Sequence, residues 1–251
     1  MKIFVINLPD DAKRKASIQH QANDLGLTVE FVEAVNGKEL SKNDINRLST
    51  GFENNGMTLG ELGCSLSHIK IYEKIVSEDI GLALVLEDDA KLPSELSSVY
   101  ELIKIYNNKH NNRPTVYLLN KTNEYIDTLK TKLSSKYSLA NVIDSDYAYG
   151  YIINKAGAIK LLDFLTPVWI EADKWRFMQM NGIIKLKAVI PPVISVTALS
   201  EDSSLESERS ERVYKRLSFF DSMYKKRNFN TKLRLFFWRI FIRSWVKRVR
   251  P

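Results

Sequence analysis

Three consecutive carboxylates, Glu87-Asp88-Asp89, close the apolar run Leu82-Ala83-Leu84-Val85-Leu86. The run is short, with Gly81 before it and Pro93 soon after the acids. That length and flanking favour a buried strand over a helix. In an open α/β sheet, ligands bind beyond the carboxyl ends of the strands. Acids at such an end are a candidate site for a hard divalent cation with oxygen ligands. A solvated acidic turn after a core strand accounts for the same residues.

The elements around this strand alternate. Residues 2–8 read as a first strand, Pro9 and the Asp10-Asp11 pair open a helix to about Leu25, and residues 28–34 read as a second strand. Asn36-Gly37 marks a turn, 41–48 a short helix and 50–56 a loop. Thr58 and Glu61 have capping-box spacing, and Leu62, Leu66, Ile69 and Tyr72 share one face of the helix that follows. Beyond the acids come a helix over 94–106, a strand over 115–119 and a lysine-rich, poorly patterned stretch over 120–145, read as a surface insertion. A strand over 147–153, helices over 155–164 and 171–180, and short strands over 185–189 and 193–196 complete the body. Strands alternating with helices predict an α/β domain with a largely parallel sheet.

Composition narrows the chemistry. A single cysteine, Cys64, excludes a disulfide framework and a zinc site built from cysteines; three histidines argue against a polyhistidine metal site. The apolar run at the N-terminus is too short for a signal segment, and no stretch is long and apolar enough to span a bilayer. The net charge of +7 is uneven. From Arg209 onward there are 14 Lys and Arg against 2 acids, a net of +12, while the preceding residues carry −5. Such a tail suits an anionic surface. On a helical wheel Arg239, Arg243, Lys247 and Arg250 form one stripe, and Phe237, Trp238, Phe241, Ile242, Trp245, Val246 and Val249 fill the rest. That is the pattern of a basic amphipathic helix lying in a membrane interface; a helix docked on the body by its aromatic face is the plainer account. Nucleic acid is not expected, since a wide aromatic face would have no role there. The expected division is a body over 1–207 and a basic aromatic helical tail over 208–251.

The ordered set of motifs carries a resemblance. Ile6-Asn7-Leu8 is followed by Arg14, then Leu59-Gly60-Glu61-Leu62-Gly63-Cys64-Ser65-Leu66-Ser67-His68, Leu86-Glu87-Asp88-Asp89, and Tyr149-Gly150-Tyr151-Ile152-Ile153 with Lys155-Ala156-Gly157-Ala158. Over residues 1–200 the chain resembles glycosyltransferase family 25, the lipooligosaccharide galactosyltransferase family of Gram-negative bacteria, to which collagen galactosyltransferases are more distantly related.

The resemblance implies a GT-A-type, Rossmann-like open sheet with helices on both faces, holding a sugar nucleotide at the strand ends. It also implies Mn²⁺ or Mg²⁺ at the acidic motif, to stabilise the diphosphate leaving group. Alternate strand residues point the same way, so Glu87 and Asp89 can converge while Asp88 points aside. Asp89 is the favoured metal ligand, with Glu87 beside it and Glu87 or Asp88 toward the ribose. Asn7, Leu8 and Arg14 fall where the nucleotide would lie; for Arg14, between Lys13 and Lys15, a solvated helix face is the plainer explanation. Glu61 and His68 are further donor-side candidates, against a helix cap and a satisfied core histidine respectively. Tyr149 and Tyr151 would stack or simply pack, and Cys64 reads as a small core residue.

The family is inverting, so a carboxylate base outside the acidic motif is implied. Asp173, near the start of a helix, is the first choice and Asp146 the second; a first-turn acid suiting the helix dipole explains Asp173 as simply, and a turn residue is the plainer account of Asp146. Glu201-Asp202 would add a late metal contact or belong to a linker. The resulting expectation is a metal-dependent inverting transferase moving galactose from UDP-galactose, in β-1,4 linkage, to a lipooligosaccharide or lipopolysaccharide acceptor. It would sit on the cytoplasmic face of a bacterial inner membrane, with its tail on anionic lipid. UDP-glucose or a UDP-N-acetylhexosamine is the alternative donor, and a noncatalytic module binding membrane or nucleic acid is the alternative class.

Overall fold

A computed structural model describes residues 1–110, 113–197 and 205–251, so Glu201 and Asp202 lie outside the described residues. The centre is a nine-stranded sheet. Its strands are β1 (Lys2–Asn7), β2 (Glu30–Glu33), β3 (Leu82–Glu87), β5 (Thr115–Leu118), β6 (Glu124–Lys132), β7 (Ser138–Asp144), β8 (Gly150–Asn154), β9 (Lys185–Ile190) and β11 (Arg248–Val249). Their order is β11-β6-β7-β9-β5-β8-β3-β1-β2. β2, β1 and β3 are mutually parallel, and β5 and β9 share a direction; β8, β7 and β11 run against their neighbours. Two further strands, β4 (Ala90–Lys91) and β10 (Ser195–Val196), pair antiparallel beside the acidic turn.

The pleat assigns the core. Successive residues of a strand face opposite sides, so Ile3 and Val5 enter one apolar cluster and Phe4 and Ile6 the other. Leu84 and Leu86 join the first cluster, Ala83 and Val85 the second. A strand buried on both faces has no polar side, which is why residues 82–86 read as an unbroken apolar run. Helices α1 (Ala12–Asp24) and α5 (Leu96–Lys109) cover the Ile3 face through Ile18, Ala22, Val99 and Ile103. Helices α4 (Leu59–Ser77), α6 (Lys155–Leu165) and α7 (Trp175–Met180) cover the Phe4 face. Two short helices, α2 (Lys42–Leu48) and α3 (Phe52–Asn55), lead into α4. The expected loop over 50–56 thus contains a helical turn that buries Phe52 and Asn55.

Two expectations change in the second half. The stretch over 120–145 is not a surface insertion: β6 and β7 form a hairpin in the main sheet, continued by β9. Register shifts between Glu124 and Tyr125 and between Ile126 and Thr131 break the alternation, so the period-2 signal is lost in the sequence. The tail is not one amphipathic helix. Helix α8 (Leu205–Lys225) runs across the expected 207/208 division and lays Phe220 and Met223 on the core. Helix α9 (Phe229–Phe237) leads into a wider turn at Trp238–Ile242, and Arg248 and Val249 leave the wheel to form β11 on the edge of β6. The edge needs backbone partners, and its acids draw the basic residues in: Arg248 Nη1 donates to Glu124 Oε1 at 2.7 Å and Lys247 Nζ lies 3.4 Å from Asp127. No helix among the described residues is long and apolar enough to cross a membrane.

Backbone-to-backbone contact sets the position of α4. A Cβ on Gly63 would lie 2.3 Å from the Val35 carbonyl oxygen and 2.6 Å from the Gly37 nitrogen. Gly63→Ala is therefore expected to destabilise the fold by roughly 1–3 kcal/mol through overpacking, against the better helix propensity of alanine. Gly81→Ala, where a Cβ meets nothing within 4 Å, should stay within about 0.5 kcal/mol of the parent. Urea denaturation of both variants checks this; equal losses would sink the close-approach account.

Candidate active site

From β1 the chain passes through α1 to β2 on one side, and later returns to place β3 on the other. The carboxyl ends of β1 and β3 therefore flank a topological switch point, where open α/β sheets bind ligands. The register pairs Ile6 with Glu87, so Asn7 and the three acids emerge side by side. A cleft of about 460 Å³ opens there, lined by Asn7, Leu8, Arg14, Cys64 and the three acids among others.

The acidic turn is tied down from several directions. Asn7 Nδ2 donates to Asp88 Oδ2 at 2.7 Å, and Arg14 Nη1 to Asp88 Oδ1 at 3.4 Å. Arg14 is thus not a solvated helix residue; its Nε also lies 3.3 Å from Asp11 Oδ2. Gln21 receives the Leu92 N–H at 2.9 Å, and Thr197 N–H donates to the Asp89 carbonyl at 2.8 Å. Burial pushes the Asp88 carboxyl above its ordinary pKa, with Asn7 and Arg14 pulling the other way. Asp88 points aside into these partners.

Asp89 is different. Burial first, then the Glu87 charge, push its pKa up to about 6, while Arg14 opposes the shift. Its Oδ1 is buried without a hydrogen-bond partner. An orphaned carboxylate oxygen beside a second carboxylate is a donor set of the hard-oxygen class that Mn²⁺ and Mg²⁺ take, and a bound cation would reverse the unfavourable charge. Asp89 and Glu87 fit such an ion.

The other candidates divide. His68 is fully buried on α4; its Nδ1 lies 2.8 Å from the Tyr151 hydroxyl, and its Nε2 faces Glu87 Oε1 at 3.6 Å. Tyr151 is a packing residue, with its hydroxyl 2.9 Å from that of Tyr72 and its ring against Trp175. Tyr149 is half-buried within range of the Asp89 and Glu87 charges. Cys64 is not a core residue: it is exposed and lines the cleft. Glu61 does not line the cleft. Its capping box with Thr58 is complete, and Oε2 also receives Arg216 of α8.

Arg216 organises a second cluster that the sequence did not reveal. It pairs with both Glu61 and Glu171, the latter at 3.2 Å, and both carboxylates are buried. The only local signal is Gly56, which has a φ of 75° and on which a Cβ would meet the Arg216 backbone nitrogen at 2.4 Å. Asp173 lies beside this cluster, two residues before α7 rather than inside it. Its side chain is partly accessible, but Oδ1 is buried without a hydrogen-bond partner. Burial pushes its pKa up to about 7; Lys174, 3.8 Å away, opposes this, and Glu171, Asp146 and Glu61 add to it. Asp146 is more exposed, accepts from Asn123 Nδ2 at 3.0 Å and lies 3.7 Å from Lys174.

Comparisons with known proteins identify the family of the chain. The model of glycosyltransferase family 25 (LPS biosynthesis protein) matches residues 1–175. A glycosyltransferase 25 family member of Drosophila melanogaster is 28% identical over 186 residues, 66% of this chain and 29% of that protein. Procollagen galactosyltransferase 2 of Homo sapiens is 26% identical over 175 residues, 64% of this chain and 27% of its own. An Aedes aegypti family member is 37% identical over 97 residues, 36% of this chain and 16% of its own. The chain spans less than a third of the length of these relatives.

The environment of Asp173 predicts a pH-dependent stability. Its folded pKa of about 7 stands above the unfolded value near 3.9, so between them the native state binds more protons than the unfolded one, and stability falls as pH rises. Asp173→Asn removes that loss. Its stability relative to the parent is expected to improve from pH 4 to pH 8 by up to about 3 kcal/mol. Thermal denaturation across that range reads it; an improvement that does not grow with pH would contradict the burial.

Proposed function

The chain belongs to glycosyltransferase family 25, and we propose that it is a GT-A-type inverting transferase that moves galactose from UDP-galactose to the oligosaccharide of a lipid-anchored lipooligosaccharide or lipopolysaccharide acceptor, in β-1,4 linkage. The observation that carries this reading is the cleft at the switch point, where Asp88 is clamped by Asn7 and Arg14 while Asp89 keeps a buried, unpartnered oxygen beside Glu87. Galactose is favoured by the relatives named galactosyltransferases.

In this reading the nucleotide lies along Asn7, Leu8 and Arg14, with the sugar directed out of the cleft. The acceptor hydroxyl oxygen attacks the anomeric carbon, the bond from that carbon to the phosphate oxygen breaks on the opposite face, and UDP leaves with the electron pair. Asp173 takes the hydroxyl proton. A base whose pKa lies near the working pH balances availability against driving force, and Asp173, at about 7, meets that condition. Lys174 keeps part of the population ionised. Asp146 is already engaged by Asn123. A bound Mn²⁺ or Mg²⁺ supplies charge neutralisation for the departing diphosphate; Asp89 and Glu87 would hold it.

Release of UDP from UDP-galactose, measured with and without Mn²⁺, tests the reaction. Asp89→Ala should abolish the metal-dependent release, and Asp173→Asn should lower kcat by roughly 10²–10⁴-fold, the range for a lost general base. Faster release from UDP-glucose or a UDP-N-acetylhexosamine would change the donor and keep the chemistry. No metal-dependent release from any donor would sink the enzyme reading.

A lipid-anchored acceptor is met most often by an enzyme held at its surface. The reading therefore places the protein on the cytoplasmic face of a bacterial inner membrane, whose anionic lipids attract Lys and Arg. Phe236, Phe237, Ile240, Phe241 and Trp245 are exposed beside Arg239 and Arg243, and Trp245 is 82% exposed. Burying one such side chain in the interface contributes about 1.5–3 kcal/mol. The pair Phe241→Ala and Trp245→Ala should weaken flotation with phosphatidylglycerol vesicles by roughly tenfold or more, while activity on a soluble acceptor is kept. Undiminished flotation would overturn the membrane assignment.

A further inference from the structure

We propose that Cys64, His68 and Glu87 form a binding site for a thiophilic divalent cation, Zn²⁺ by its chemistry, on the wall of the cleft and apart from the Asp89 position. The sulfur of Cys64, a ring nitrogen of His68 and a carboxylate oxygen of Glu87 all lie within 4.8 Å of one another. Cys64 and His68 are four residues apart on α4 and so share one helix face. Glu87 reaches them from the end of β3.

The second observation is the state of His68. Its side chain is wholly buried, yet Nε2 has no hydrogen-bond partner. A buried polar atom left in that condition costs about 1–3 kcal/mol. Its nearest carboxylate oxygen, Glu87 Oε1, is at 3.6 Å, beyond hydrogen-bond length. The other ring nitrogen is held: Nδ1 lies 2.8 Å from the Tyr151 hydroxyl, which is itself 2.9 Å from the Tyr72 hydroxyl. When Nδ1 donates to Tyr151 and Tyr151 donates to Tyr72, Nε2 carries the lone pair. A buried partner fixing the far nitrogen of a histidine is the arrangement that orients metal-binding imidazoles.

The spacing suits Zn²⁺. Bonds of about 2.0–2.3 Å at tetrahedral angles put ligand atoms roughly 3.3–3.7 Å apart, and the Nε2 to Oε1 distance of 3.6 Å is already there. Cys64 is exposed on α4, and its sulfur lies within 4.8 Å of both other ligand atoms. Three protein ligands leave a fourth position open toward the cleft for water or a phosphate oxygen, as in zinc sites that are not sealed. The donor set separates the two cation positions by hardness: sulfur and imidazole select Zn²⁺, while carboxylate oxygens suit Mn²⁺ and Mg²⁺. Glu87 belongs to both, so Zn²⁺ on the Cys64 side withdraws it from Asp89. The inference stands on this geometry and does not depend on the sugar donor.

Cobalt reads the site directly, because Co²⁺ takes the same ligands and a cobalt–thiolate bond gives a near-ultraviolet charge-transfer band. Titrating the full chain with Co²⁺ should produce that band with an endpoint of one equivalent, and Zn²⁺ should bleach it. Cys64→Ser, a near-isosteric change at an exposed position, should abolish the band and weaken Zn²⁺ binding by roughly tenfold or more, read by calorimetry. Asp89→Asn should leave the band in place. A parent protein without the band, a band that survives Cys64→Ser, or a band lost with Asp89→Asn would each overturn the proposal.

Discussion

The contact on which the rest depends is the clamp of Asn7 and Arg14 on Asp88. It joins the last residue of β1 and a residue of the neighbouring α1 to the turn after β3, more than seventy residues later in the sequence. Parallel strands have no hairpin to set their register, so the ladder and the end contacts must set it. Here the pairing of Ile6 with Glu87 brings Asn7 level with Asp88, and a slip of one residue would turn every side chain of β3 to the wrong face. Burying Asp88 raises its pKa even with these partners present, so the clamp offsets part of a desolvation cost. What it provides is position: with Asp88 held aside, Glu87 and Asp89 are left on the cleft side of the turn.

Charge is handled differently in the two acid clusters. At the switch point the nearby cation of the chain, Arg14, is occupied by Asp88 and Asp11, and Asp89 is left with a raised pKa and an orphaned oxygen. A cation bound there would offset the repulsion between Asp89 and Glu87. In the second cluster the chain supplies the positive charge itself: Arg216 sits between Glu61 and Glu171, and Lys174 beside Asp173. Buried carboxylates without such partners would be strongly destabilising. The contrast supports assigning the first cluster to a cation and a diphosphate, and the second to proton handling.

What could be read from the sequence was what is encoded locally. The strand ending in acids is legible because both of its faces are buried, and the start of α4 because Thr58 and Glu61 complete a capping box within four residues. Asn7, Arg14 and Asp88 could be placed near one end of the sheet, but their mutual contact could not be read, since it spans more than seventy residues. The β6–β7 hairpin was missed because its irregular register hides the alternation and its order comes from β9 and β11. Cys64 was misplaced because a small apolar residue on an amphipathic helix looks the same from sequence whether its face meets a core or a cleft. Arg216 was hidden among the basic residues of the tail, where nothing local distinguishes a charge that pairs inside the body from one that faces outward.

That last case changes what the tail is. The stretch from α8 onward falls into two parts in series. Through Phe220, Met223 and Arg216 the first part completes the core and neutralises Glu61 and Glu171. A chain ending near residue 207 would therefore strip Glu61 and Glu171 of their Arg216 partner next to Asp173, so a loss of activity in it would not by itself report lost contact with a membrane. Beyond the exposed Tyr214 of α8, most of the exposed aromatic residues lie from α9 onward, and even there Arg248 and Arg250 are tied to Glu124 on β6. The charge left facing outward is thus smaller than the net count of the tail, and the aromatic side chains must contribute most of any attachment to a surface. A helical wheel drawn on the sequence gives the basic stripe and the aromatic face equal weight, whereas the fold spends part of the stripe on its own sheet edge.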